Sequence, residues 1–117
     1  MSNNDEDLSK EVCEACSPNA KRLTASEEKL LLKKLPSWNI KNHQNVPQIT
    51  KQFNFDNFQQ AIKFANQVGG IAELAGHHPA ILIEWGKVEV TWWSHEMAGL
   101  HRNDFIMASK TDDIFEN

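Results

Sequence analysis

The chain has 117 residues, 40% hydrophobic and 24% charged, which is one domain's worth of ordinary globular sequence and excludes both two full domains and disorder throughout. No apolar run nears the roughly 20 residues that span a bilayer, and the polar, acidic start is unlike a secretory leader, so a soluble protein of the cytoplasm is expected. The net charge of −4 sits in residues 1–16, where Asp5, Glu6, Asp7, Glu11 and Glu14 oppose Lys10 alone; the neutral remainder has no excess of positive charge for a phosphate backbone, which disfavours direct nucleic-acid binding.

Residues 1–23 lack periodicity and read as an acidic tail, or an arm laid over a single domain of residues 24–117. Cys13 and Cys16 fall in this tail and are too few to staple a fold. A structural zinc site would want a second such pair, and a thioredoxin-like site a βαβ context; the chain has neither, so the two read as exposed, unpaired thiols.

Thr24 and Glu27 form a capping box that opens a helix through Leu30, Leu31, Leu32 and Leu35, stopped by Pro36. Residues 38–43 and 48–55 read as two strands of a hairpin, with turn residues between Asn42 and Pro47. Asp56 is expected to cap the next helix, with Gln59 at its third position. There Phe58, Ala61, Ile62, Ala65, Val68 and Ala72 recur at spacings of three and four, an apolar stripe on a long helix that Gly76 should end. After Pro79, residues 80–85 and 88–93 are β-rich and flank a Gly86-Lys87 turn. Residues 100–115 look helical. The order αββαββα predicts an α+β fold, with helices covering one face of a four-stranded antiparallel sheet. Its open edges invite strand pairing between subunits.

Four of the five histidines lie between His77 and His101, near Glu73, Glu96 and Asp104, the one dense cluster of titratable groups in the chain. Glu73 precedes His77 by four residues; were the helix to reach His77, the two would share a face. Pro79 restricts His78 to extended conformations and so helps fix its direction. His95 ends the last strand, and Asp104 falls in the first turn of the last helix, where a carboxylate suits the helix dipole. Gly99 permits a tight connection between them. Histidines titrate near neutrality, so several around one ligand can protonate a leaving hydroxide at one atom and take a proton from another. Acidic partners can fix their tautomers, and Trp85, Trp92 and Trp93 offer flat surfaces to a planar heterocycle. Blander readings exist: a histidine pair before a proline is ordinary loop sequence, paired tryptophans on a strand are usually core, and Asp104 has the position of a simple helix cap. Histidines with Glu73 or Asp104 also suit zinc or iron, but the spacing matches neither a zinc-protease helix nor a zinc finger.

The motif Glu73-x-x-x-His77-His78-Pro79, followed by Thr91, His95, Gly99-Leu100 and Asp104, resembles the pterin-4a-carbinolamine dehydratase family, its bacterial form most closely. Leu35-Pro36-x-Trp38, Phe53-x-Phe55, Val68-Gly69 and Cys13-x-x-Cys16 extend the likeness from about residue 13 to residue 113. The resemblance implies helices on a four-stranded antiparallel sheet that extends across subunits in a homodimer, and often a homotetramer. It also implies dehydration of 4a-hydroxytetrahydropterin, left by aromatic amino-acid hydroxylases, to quinonoid dihydropterin, with no metal or redox cofactor because the pterin is the substrate. Carried over by position, His77 and His95 look like the general acid/base pair and His78 like a pterin contact that assists proton transfer. Glu73 and Asp104 look like supporting carboxylates, and Trp38 like a residue in or near the pocket. Animal members have cysteine where this chain has Met97, and serve as a dimerisation cofactor for a homeodomain transcription factor, a role not transferred to this chain. Two other functions compete: a partner or regulator of phenylalanine hydroxylase or of a transcription factor, and a pterin-binding protein in molybdopterin metabolism, which the intact histidine set disfavours.

Overall fold

The computed structural model describes residues 8–11 and 22–117. Thr24 accepts a hydrogen bond from Glu27 N while the Glu27 carboxylate accepts from Thr24 N, and this capping box starts α1 (Ala25–Leu32). The same backbone donor holds the Glu27 carboxyl below its ordinary pKa. The hairpin of β1 (Asn39–His43) and β2 (Val46–Asn54) turns through Gln44 and Asn45, both at positive φ, the hand that matches strand twist. The next helix, α2 (Phe58–Ala75), is capped by Asn57 rather than Asp56: the Asn57 side chain accepts from Gln60 N at 2.8 Å, and Asp56 N donates instead to the Gln60 side chain. Both residues are good caps, and the choice depends on where the chain leaves the sheet. The buried stripe shifts with it. Phe64 joins Ala61, Ala65, Val68 and Ala72 inside, while Phe58 is exposed and Ile62 only half-buried. Gly76, at φ 65°, ends the helix in the left-handed region where glycine alone is unstrained.

A second hairpin joins β3 (Ala80–Glu84) to β4 (Lys87–Trp92), one residue short of the expected Trp93. Its turn is Trp85-Gly86; a Cβ at Gly86 would press on the Phe55 carbonyl, and Phe55 N donates to Gly86 O at 2.7 Å. The last helix is α3 (Arg102–Glu116). All pairings are antiparallel and the strand order is β1-β2-β4-β3, so β1 and β3 are the open edges.

Register decides the two faces. Ile49, Lys51 and Phe53 sit opposite Trp92, Val90 and Val88, and Ile81 and Ile83 continue the row on β3. This face packs under α2 and α3. Phe53 and Phe64 meet at 4.8 Å between ring centroids, and Phe115 closes on both. The other face, with Thr50 bonded to Thr91 at 2.9 Å, has no helix packed over it among the described residues. The sheet is thus covered on one side, as the element order predicts. Among the described residues no helix is long and apolar enough to cross a membrane.

Leu8–Glu11 lies against the body. Leu8 is fully buried in the core, Lys110 Nζ donates to Ser9 O, and Arg102 makes a two-bond pair with Glu11 at 2.7 and 2.6 Å. Cys13 and Cys16 lie outside the described residues. The Arg102 hydrogen bond holds the Glu11 carboxyl below its ordinary pKa against the opposing effect of burial; the charges of Arg102 and Lys34 add to the lowering. A depressed carboxyl stabilises the fold above its unfolded-state pKa and loses that stabilisation as pH falls through its folded-state pKa. Both side chains are over a third exposed, so the contribution is small, about 0.5 kcal/mol. Urea melts of the wild type and Glu11→Gln should therefore differ by that amount at neutral pH and converge in acid. An unchanged gap at low pH would assign the difference to something other than this charge pair.

Candidate active site

The α2–β3 connector and the segment after β4 come together at one end of the sheet. Because α2 stops at Ala75 and Gly76 reverses the chain, His77 leaves the helix face that Glu73 occupies. The four-residue pairing of Glu73 with His77 therefore does not form. Glu73 Oε1 meets His78 Nε2 instead, at 2.8 Å, with both side chains well exposed.

His77 turns inward and is 5% exposed. Its ring stacks on Trp92 at 5.6 Å between centroids and an 11° interplanar angle. Its Nε2 lies 2.6 Å from Asp104 Oδ1. Asp104 is wholly buried, and its Oδ2 accepts from Ser94 Oγ and from His101 N, each at 2.9 Å. An ionised carboxylate only accepts, so the shared hydrogen belongs to His77 Nε2, and in the neutral ring Nδ1 has the lone pair. Asp104 has a second task. It is the third residue of α3, and its bond to His101 N completes a capping box in which His101 Nδ1 accepts from Asn103 N at 3.0 Å. His101, one of the clustered histidines of the sequence, thus serves as a helix cap.

After β4, Ser94 and Gly99 form an isolated antiparallel bridge that closes a short turn over His95–Met97, with Ala98 in the left-handed region. A Cβ at Gly99 would meet the far end of the Arg22 side chain, which is flexible enough to move aside, so close approach alone does not demand glycine there. The turn presents His95 at the surface, its ring 4.3 Å from that of Trp93.

A pocket of about 310 Å³ opens between these segments, lined by Gly76, His77, His78, Ser94, His95, Glu96 and Met97. That is the low end of the usual range for small-molecule sites. A larger hollow of about 660 Å³ runs along the outer face of α2, but its lining of amides, Ile62 and Lys63 holds no acid–base pair. The smaller pocket, by contrast, gathers three histidines in its lining.

Of the residues singled out in the sequence, His77, His78 and His95 line this pocket, Asp104 stands behind His77 and Glu73 behind His78. Trp38 is not brought there. It is buried against Phe53, and its Nε1 donates to Asp112 at 3.0 Å. Asp112 is two turns along α3 from Asp104, about 12 Å at the helical rise. Of the three tryptophans offered as flat surfaces, Trp92 is core, Trp93 flanks His95, and Trp85 stands exposed at the β3–β4 turn. Ser94 is the residue that the sequence reading missed. Strand alternation puts it on the core side with Val90 and Trp92, and a hydroxyl there must find a buried partner. Among the described residues, no three or more His, Cys, Asp or Glu side chains are grouped to hold a metal ion.

A family model described as Pterin 4 alpha carbinolamine dehydratase matches residues 21–114. A protein of Saccharophagus degradans named "Putative pterin-4-alpha-carbinolamine dehydratase" is 44% identical over 110 residues, which is 94% of this chain and 97% of that one. Proteins of the same name from Nitrosococcus oceani and Microcystis aeruginosa are 50% and 48% identical, over 96% and 93% of this chain and 99% and 94% of theirs. The crystal structure of a transcriptional coactivator/pterin dehydratase from Brucella melitensis is similar with a TM-score of 0.72 at 33% identity, covering 80% of this chain and 98% of that one. A pterin dehydratase-like protein identified as a RuBisCO assembly factor in the alpha-carboxysome shares the fold alone, with a TM-score of 0.57 at 22% identity over 67% of this chain and 88% of that one. The chain belongs to the pterin-4-alpha-carbinolamine dehydratase family, a family of hydro-lyases.

Proposed function

We propose that the protein dehydrates 4a-hydroxytetrahydropterin to quinonoid dihydropterin by histidine acid–base catalysis. The observation that carries this reading is the buried Asp104–His77 pair at the wall of a pocket that His78 and His95 also line. Loss of water needs a proton delivered to the departing 4a-hydroxyl and the N5 proton removed, so that the C4a–O bond breaks as the C4a–N5 double bond forms. A histidine that donates to a carboxylate through Nε2 can take up a proton on Nδ1, which suits His77 to accept the N5 proton. His95, exposed on the turn, suits delivery of the other proton. His78, restrained by Glu73, is placed to contact the pterin and assist. No metal or redox cofactor enters this scheme, since the pterin is itself the substrate.

In this reading the substrate comes from a tetrahydropterin-dependent aromatic amino-acid hydroxylase, and the product returns to the cofactor pool through a reductase. The cytoplasm is the site of action. Assembly as a homodimer or homotetramer is part of the same proposal, supported by the open edge of β3 and the exposure of Leu82 and Trp85 beside it.

The test follows the ultraviolet absorbance of the 4a-hydroxy adduct, generated by a hydroxylase, with and without the protein. Decay should accelerate in proportion to protein concentration. Uncatalysed decay in the presence of folded protein would overturn the reading and favour a binding or regulatory role.

A further inference from the structure

The two oxygens of Asp104 are used differently. Oδ1 meets His77 alone, while Oδ2 accepts from both Ser94 Oγ and His101 N. A single donor at Oδ2 would leave the carboxylate free to swing about that bond. Two donors from different segments fix its plane and so aim Oδ1 at His77. Ser94 is itself fixed: it is 5% exposed, its N–H donates to Gly99 O at 2.8 Å, and its carbonyl accepts from Gly99 N. It also directly precedes His95. One residue thereby joins the two halves of the pocket, through its side chain to the Asp104–His77 pair and through its backbone to the turn that presents His95.

We propose that Ser94 is a positioning residue for the reaction: its hydroxyl holds the Asp104 carboxylate so that the His77 hydrogen stays on Nε2 and Nδ1 remains available for proton transfer. The kinetic consequence rests on the dehydratase reading; the tautomer consequence does not.

The test compares the full-length wild type with Ser94→Ala and Ser94→Thr by histidine-selective nitrogen NMR and by kcat and KM in the adduct-decay assay. The wild type should show a single Nε2–H tautomer of His77, with a slowly exchanging imidazole proton. Ser94→Ala should lose that signal or show mixed tautomers. Its kcat should fall about 10- to 100-fold, the value of a hydrogen bond to a charged group, with KM changed less than about twofold. Ser94→Thr, which keeps the hydroxyl, should restore both. Ser94→Ala that keeps the wild-type tautomer and kcat overturns the proposal, even if its melting temperature falls, because loss of fold support alone moves only the latter. If Ser94→Ala does not fold, Ser94→Cys, with similar volume and a weaker donor, should show a partial loss of both; unchanged values overturn the proposal. Absence of wild-type turnover would fail the dehydratase reading, while the tautomer comparison would still support or overturn the role of Ser94.

Discussion

Replacing His77 with alanine should lower kcat/KM for adduct dehydration by about 10²- to 10⁴-fold, the range for loss of a positioned acid–base group. His77 is also structural: it covers Trp92, and its Nε2 gives Asp104 Oδ1 its hydrogen bond. His77→Ala therefore mixes lost chemistry with a buried acceptor left unpaired. His77→Gln separates the two. A glutamine amide can donate to Asp104, yet has no group that takes up a proton near neutrality. If His77 transfers a proton, both variants should lose the rate, and the glutamine variant should keep more of the melting temperature. If His77 serves only to hold Asp104, the glutamine variant should keep turnover within about tenfold of the wild type, and the acid–base assignment would fall. His95→Ala should lose rate with little change in stability, since its ring is exposed and packs on Trp93 at the surface.

Asp104→Ala should be the most destabilising change in the site. Asp104 is fully buried and receives three donors, from His77, Ser94 and His101. Alanine takes this acceptor away from all three and removes the Asp104 half of the capping box of α3. Buried donors left unpaired cost about 1–3 kcal/mol each. In a domain of this size that lowers the melting temperature by more than about 10 °C. Asp104→Asn keeps the shape. Its amide group must then meet a donor on one side, which turns His77 toward the tautomer with hydrogen on Nδ1. By analogy with carboxylate–histidine pairs in hydrolases, kcat should fall about 10²- to 10⁴-fold with a smaller loss of stability. Thermal melts and turnover of the two variants check this order. Asp104→Asn with wild-type turnover would show that the carboxylate acts on the fold alone.

These predictions use contacts of two kinds, and the kinds differ in how far the amino-acid sequence announces them. The capping box at Thr24 and Glu27, the helix end at Gly76 and the two hairpins lie within a few residues of chain, where turn geometry, capping and hydrophobic period act directly. The histidine cluster was legible for a similar reason, since His77 and His78 are adjacent and His95 closely follows β4. Errors began where two local solutions were nearly equal. Asp56 and Asn57 are both competent caps by residue type, and the fold uses Asn57. Glu73 was spaced to meet His77 on a continued helix, but a left-handed Gly76 ends that face and passes the carboxylate to His78.

By itself, then, the sequence determined the order of elements, the α+β class, the histidine cluster and the family likeness, because each rests on short-range rules or on residue identity in a spaced motif. Tertiary structure alone decided the strand order β1-β2-β4-β3, the burial of Leu8, the placement of Trp38 over Asp112 instead of at the pocket, and the convergence of Ser94, His101 and His77 on one buried carboxylate. Asp104 and His77 are 27 residues apart, and Trp38 and Asp112 are 74 apart. No local preference encodes such pairs. They are set when α2 and α3 settle on the sheet, where close packing and the cost of an unpaired buried polar group leave each donor one acceptor within reach.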